Sequence, residues 1–268
     1  MHTMVVFARR SRHEAVLGAW LADAVRRREK VLVLRDPGDD ASLLDRSLAA
    51  AGLDPSGVVG SGQVEVLDIA WWRARSGGEA ARLYELYLGQ VRRAGRDGFP
   101  GVAMTGDERG FRAVVRDDVE LIAHEGEIDR LVADQGVRAL CRYPVRDGEG
   151  VLHEILRLHY RHVVDDLWQA SVVADRLLVQ GEIEASNVDR FDVVVRAAVT
   201  AGASTVDLSG VEFFSAAAVR TLFGAANLLQ QLGRPLVLLD PQVSHVKALA
   251  LEFLAEHPAV ELTGKKSG

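Results

Sequence analysis

The feature that most constrains this chain is an alternation. Short apolar runs of strand length are separated by longer stretches whose apolar residues recur every three to four positions. Thr3–Ala8, Val31–Arg35, Gln63–Ile69, Gly101–Thr105 and Val137–Tyr143 are the apolar runs of the first half. Arg12–Arg28, Ser42–Ala51, Glu79–Arg93, Asp117–Asp134 and Gly150–Val164 read as the intervening and closing helices. Buried strands joined by helical crossovers predict an α/β fold, a mostly parallel sheet covered by helices on both faces.

Near Asp165–Gln169 the rhythm changes. Ser171–Ala174 and Leu177–Ile183 predict a hairpin across Asp175-Arg176. Helix Asn187–Ala201, strand Ser204–Leu208, helix Ala216–Leu232, strand Leu236–Leu239, helix Gln242–Leu254 and strand Ala259–Leu262 follow. The helix from Ala216 is the clearest. Val219, Leu222, Phe223, Ala226, Leu229 and Leu232 form one stripe, with Arg220, Asn227, Gln230 and Gln231 opposite. This half therefore has its own mixed sheet and helices. A length of 268 residues accommodates two domains, and the reading divides them as 1–167 and 168–264, with 265–268 as a disordered tail.

Composition and motifs exclude several functions. The net charge is −6, and the stretch from Ser171 onward carries eight basic and eleven acidic residues, so neither half is an electrostatic reader of nucleic acid. The turn after the first strand, Arg9-Arg10-Ser11-Arg12-His13, has no glycine, so the phosphate-cradling loop of a nucleotide hydrolase is missing. Gly60-Ser61-Gly62 precedes a strand rather than a helix, which rules out a dinucleotide fingerprint. The single cysteine, Cys141, permits no internal disulfide and excludes a cysteine-based zinc site. The opening residues lack the long apolar region of a signal peptide, and no window approaches the ~18 apolar residues of a membrane span. A cytoplasmic protein is the expectation.

Few residues announce chemistry locally. His159 and His162 are spaced to share a helix face, with Asp166 one turn on, but that set lacks the convergence a metal needs. Asp165-Asp166 read as helix-terminal charges. Trp71-Trp72 read as packing under a loop or lining a pocket. Ser215, ahead of Ala216-Ala217-Ala218, reads as a helix N-cap.

The second half resembles a STAS domain, the fold of bacterial anti-sigma-factor antagonists. Three segments carry the likeness: Val179-Gln180-Gly181-Glu182-Ile183-Glu184, then Val206 through Ser215, and Leu236–Asp240 followed by Pro241. The family's switch is a phosphorylated serine at the start of the helix after the central strand. Here Ala216 occupies that position and Ser215 the preceding aspartate's place, so the usual acceptor is absent. Ser215 and Ser209 stand as displaced acceptors beside the capping role. The resemblance implies a partner surface of Glu182, Glu184, Ser209, Glu212, Ser215, Ala216 and Arg220, docking an anti-sigma factor or a kinase-like protein.

The first half resembles the MEDS domain, a sensory module related to the RecA/KaiC-like core without a working phosphate loop. His2 with Phe7, Asp36-Pro37, Val102 through Asp107, Leu140-Cys141-Arg142-Tyr143 and His159 carry that likeness in order. His2, Asp36, Asp107, Cys141, Tyr143 and His159 are the ligand-sensing candidates. They are expected to converge at the C-terminal ends of the strands, where such sheets place ligands. Cys141 also reads as a small buried strand residue and Tyr143 as a core aromatic.

The combined expectation is a non-enzymatic signalling regulator. One half senses a small ligand or cell state. The other binds a protein partner and controls transcription indirectly, with no direct contact to nucleic acid or membrane. A homodimer is compatible with this reading, and no cofactor is specified. The alternatives are a nucleotide-binding or weakly hydrolysing enzyme in the first half, and a scaffold in a stress-signalling assembly.

Overall fold

The computed structural model describes residues 1–35, 42–107, 110–112, 115–145, 150–239 and 254–263. It divides into two compact units, Met1–Ile155 and Leu156–Gly268. That break falls ahead of the boundary expected near residue 168.

In the first unit five strands form a parallel array: β1 (His2–Phe7), β2 (Lys30–Arg35), β3 (Val64–Asp68), β4 (Val102–Asp107) and β5 (Arg138–Pro144). Their order is β1-β5-β4-β2-β3. The helices are α1 (Arg10–Arg26), α2 (Ser42–Ala50), α3 (Pro55–Gly60), α4 (Ile69–Ser76), α5 (Ala80–Arg96) and α6 (Asp118–Gln135), with α7 (Gly150–His159) running across the break. Helices lie on both faces. Successive strand residues point to opposite sides; Cys141 reaches Glu125 of α6, whereas Arg142 reaches His13 of α1. The β1 interior of Met4, Val5 and Val6 is 0–2 % exposed, so it is sandwiched between the two helical layers.

The local chemistry of α6 explains why it starts and stops where it does. Asp117 caps it by accepting from the Glu120 amide at 2.9 Å, and Asp118 and Glu120 place negative charge in the first turn. Gly136, at φ 67°, supplies the left-handed residue that ends it.

The second unit holds β6 (His162–Val164), β7 (Trp168–Val173), β8 (Arg176–Ile183), β9 (Thr205–Phe214), β10 (Leu236–Leu239) and β11 (Val260–Thr263), paired in that order. The pairs β6–β7 and β7–β8 are antiparallel, and the rest are parallel. Helices α8 (Val188–Thr200) and α9 (Ala216–Gln231) pack on each other. The expected hairpin is present, with Ala174 at φ 56° in its turn. Trp168, Phe191 and Phe214 form a chain of edge-to-face rings at the centre, 5.8 and 6.0 Å apart.

Three expectations need correction. The closing helix stops at His159, and His162 begins β6, so the two histidines share no helix face. Asp165 is not a helix-terminal charge. It is 2 % exposed and its carboxylate accepts from Arg190 Nε at 2.7 Å. Trp71 and Trp72 sit in α4 rather than under a loop, and Trp72 stacks on Tyr87 at 4.7 Å. The expected helix Gln242–Leu254 lies outside the described residues except for its last residue. Among the described residues no helix is long and apolar enough to cross a membrane.

Candidate functional site

The first unit buries a polar cluster between its sheet and α6. Parallel pairing sets His2 beside Ala139, and the two-residue period of β5 puts Ala139, Cys141 and Tyr143 on one face. The buried stripe of α6, Leu121, His124, Glu125, Ile128 and Leu131, covers that face. Two of those five positions carry polar side chains where an amphipathic helix places hydrocarbon.

Glu125, fully buried, is the hub. Its Oε2 accepts from Cys141 Sγ at 3.3 Å and lies 3.4 Å from His2 Nε2. Its Oε1 accepts from the Tyr143 hydroxyl. His2 Nε2 is also 3.3 Å from Cys141 Sγ, while Nδ1 faces the Asp129 carboxylate at 3.4 Å. Burying a carboxylate without partners costs several kcal/mol, and this one has at least three.

The same environment sets the protonation states. Burial alone would lower the His2 pKa, but hydrogen bonds to Asp129 and Glu125 and their charges outweigh it, and the imidazole rises above its ordinary value. Burial, reinforced by the Glu125 charge, pushes the Cys141 thiol well above the usual range. His124 is driven down to about 4, chiefly by burial. Its Nε2 meets the Tyr87 hydroxyl at 3.0 Å, and its Nδ1 has no hydrogen-bond partner among the described residues.

A small cavity of about 10 Å³ adjoins the cluster. Leu34, Met104, Phe111, Ile128, Leu140 and Cys141 are among its walls. That is far below the ~300 Å³ of ordinary ligand sites and about the room of a single water. Gly106 keeps it narrow, because the Phe111 ring lies where a Cβ would be, 2.7 Å away.

Of the sensing candidates, His2, Cys141 and Tyr143 are brought together around Glu125, with Tyr143 alone of the three at a C-terminal strand end. His2 is the first residue of β1 and Cys141 lies mid-strand. Asp107 goes elsewhere. It pairs with Arg142, which points to the α1 face, and its Oδ1 accepts from the Gly110 amide at 3.0 Å. On that face Arg142 contacts Thr105 Oγ1 at 3.1 Å and His13 Nε2 at 3.0 Å, and His13 stacks on Phe7. Asp36 lies outside the described residues. His159 is 1 % exposed at the end of α7 and falls in the second unit. Sequence reasoning missed Glu125, Asp129, His124 and Tyr87. The legible signal was a helix whose core stripe carries His and Glu.

Of the partner-surface candidates in the second unit, Glu182 and Glu184 lie at the end of β8, Ser209 midway along β9, Glu212 near its end, and Ser215, Ala216 and Arg220 at the start of α9. Ser209, Glu212, Ala216 and Arg220 are exposed; Glu182, Glu184 and Ser215 are half-buried. Phe213 stands beside Glu212 and is 43 % exposed. Buried Asn187 locks the turn after β8, donating to the Glu182 carbonyl and accepting from the Glu184 amide, each at 3.0 Å. Ser215 Oγ accepts from the Ala218 amide at 3.3 Å, which is the geometry of an N-cap.

Comparison with curated proteins finds no match. Residues 168–263 match the family model described as Mlab, STAS domain. Residues 1–160 match the model described as methanogen/methylotroph, DcmR sensory domain. With more than half of its length under that model, the chain belongs to the MEDS family of sensory domains, joined here to a STAS domain.

Proposed function

We propose that this chain is a two-domain signalling regulator, with residues 1–167 as the sensory domain, 168–264 as the STAS domain and 265–268 as a tail. The sensory domain responds to a small ligand or cell state through the buried cluster of His2, Glu125, Cys141 and Tyr143. The STAS domain binds an anti-sigma factor or a kinase-like protein, and transcription is reached through that contact. The protein works in the cytoplasm and turns over no substrate. Both matched families are regulatory rather than enzymatic.

The observation that carries this reading is Phe213. A large aromatic at a strand end, exposed beside Glu212 and close in sequence to Ser215 and Arg220, is the kind of anchor protein interfaces are built around. Ser215 enters as a helix cap, so partner binding is set by this surface and not by a phosphate on Ser215.

The test is capture of purified anti-sigma-type kinases from the source genome on the immobilised full chain, alongside a phosphate-release assay with ATP and GTP. Specific capture with no phosphate release supports the proposal. Clear turnover, or no capture by any of these proteins, overturns it.

A further inference from the structure

We propose that His2, Glu125 and Cys141 form the donor face of a divalent-metal site suited to Zn²⁺. Their ligand atoms, Nε2, Oε2 and Sγ, make a nearly equilateral triangle with edges of 3.3, 3.3 and 3.4 Å. Zinc bonds of about 2.0–2.1 Å to nitrogen, 2.0–2.2 Å to oxygen and 2.3 Å to sulfur, set at tetrahedral angles, separate neighbouring donors by roughly 3.3–3.6 Å. The triangle therefore already has about the size of one face of a zinc tetrahedron. An ion roughly 1 Å off its plane reaches all three donors with little backbone movement.

The surroundings support the same conclusion. The far nitrogen of His2, Nδ1, faces the Asp129 carboxylate, and the far oxygen of Glu125, Oε1, accepts from the Tyr143 hydroxyl. Ligating histidines and carboxylates are oriented in this way by outer partners. The charge also balances: one carboxylate, one thiolate and a neutral imidazole cancel the two positive charges of the ion in a dry site. Binding releases the Cys141 S–H proton, and any proton on His2 Nε2, to solvent as the metal–sulfur and metal–nitrogen bonds form.

No local spacing announces this set, since Cys141 lies 139 residues from His2 and 16 from Glu125. A single thiolate suffices in a mixed-donor site, which revises the expectation drawn from the cysteine count. The inference is independent of the partner reading above, because metal binding is measured without the partner.

The experiment is a Co²⁺ titration of the reduced full chain, followed by near-ultraviolet and visible absorption and competed with Zn²⁺. The expected result is a saturable thiolate-to-cobalt band with a stoichiometry of one, displaced by Zn²⁺. Cys141→Ser should abolish the band, and Glu125→Gln should weaken binding at least tenfold while keeping it. The chain has one cysteine, so the wild-type band assigns Cys141 even where the variant does not fold. Absence of the band at excess Co²⁺ would overturn the proposal, as would stoichiometric binding that survives Cys141→Ser unchanged.

Discussion

Ser215 is where the two roles available to the second unit separate. If it is a cap, its Oγ satisfies one of the orphan amides at the start of α9 through the 3.3 Å bond from Ala218. Ser215→Ala removes that acceptor, and N-cap deletions of this kind cost about 1 kcal/mol. In a domain of roughly 100 residues that lowers the midpoint of its thermal transition by about 4–8 °C. Ser215→Asp restores an acceptor and adds negative charge at a helix N-terminus, a further gain of about 0.3–1 kcal/mol. Stability should therefore rank Asp at or above Ser, with Ala below. The local readout is hydrogen exchange of the Ala218 amide, faster in the alanine variant and restored in the aspartate. Unchanged exchange and stability in Ser215→Ala would refute the capping account. A loss of partner affinity above tenfold in Ser215→Asp at full stability would show that this position is a charge switch.

Other consequences follow from particular contacts. Gly181→Ala would place a Cβ 2.2 Å from the Leu167 carbonyl oxygen at φ +93°, with backbone on both sides of the clash. It should cost at least about 3 kcal/mol, measured by urea unfolding of the second unit's transition. Arg190→Ala removes the ion-pair partner of the buried Asp165 carboxylate, a loss of about 3 kcal/mol at pH 7. Burial already raises the Asp165 pKa against the pull of Arg190, and the variant raises it further. A carboxyl raised in the folded state stabilises fully below the unfolded value, near 3.8, and loses that contribution as pH rises through the folded one. The cost of Arg190→Ala should therefore shrink as pH falls toward 4. Unfolding curves for both proteins at the two pH values check this. Gly106→Ala forces a methyl against the Phe111 ring and should cost about 1–3 kcal/mol, with a change in protection of the residues around the small cavity.

Much of the fold was legible because each element carries its own period. The α9 stripe and the strands β2, β5 and β10 could be read from apolar spacing alone. What escaped lacked such a signal. Helix α3 is six residues with no buried member, held by the Asp54 cap, so no apolar stripe marks it. β6 is three residues directly after a helix and reads as that helix's continuation. The buried site was half legible. His2, Cys141 and Tyr143 came from the family resemblance, whereas Glu125 and Asp129 carry no motif that sets them apart from the other acidic residues of α6. Their role depends on which face of α6 meets the sheet, and that is decided by strands far away in sequence. Asp107 was misplaced for the same reason, because register across β4 and β5 sends it to the α1 side.

Whether Phe213 anchors the partner is decided most directly by calorimetric titration of the full chain with the captured anti-sigma-type protein, compared between wild type and Phe213→Asp. A saturable complex is expected for the wild type and at least a hundredfold weaker binding for Phe213→Asp, whose exposed site leaves the fold intact. Equal affinity for the two proteins would contradict that role.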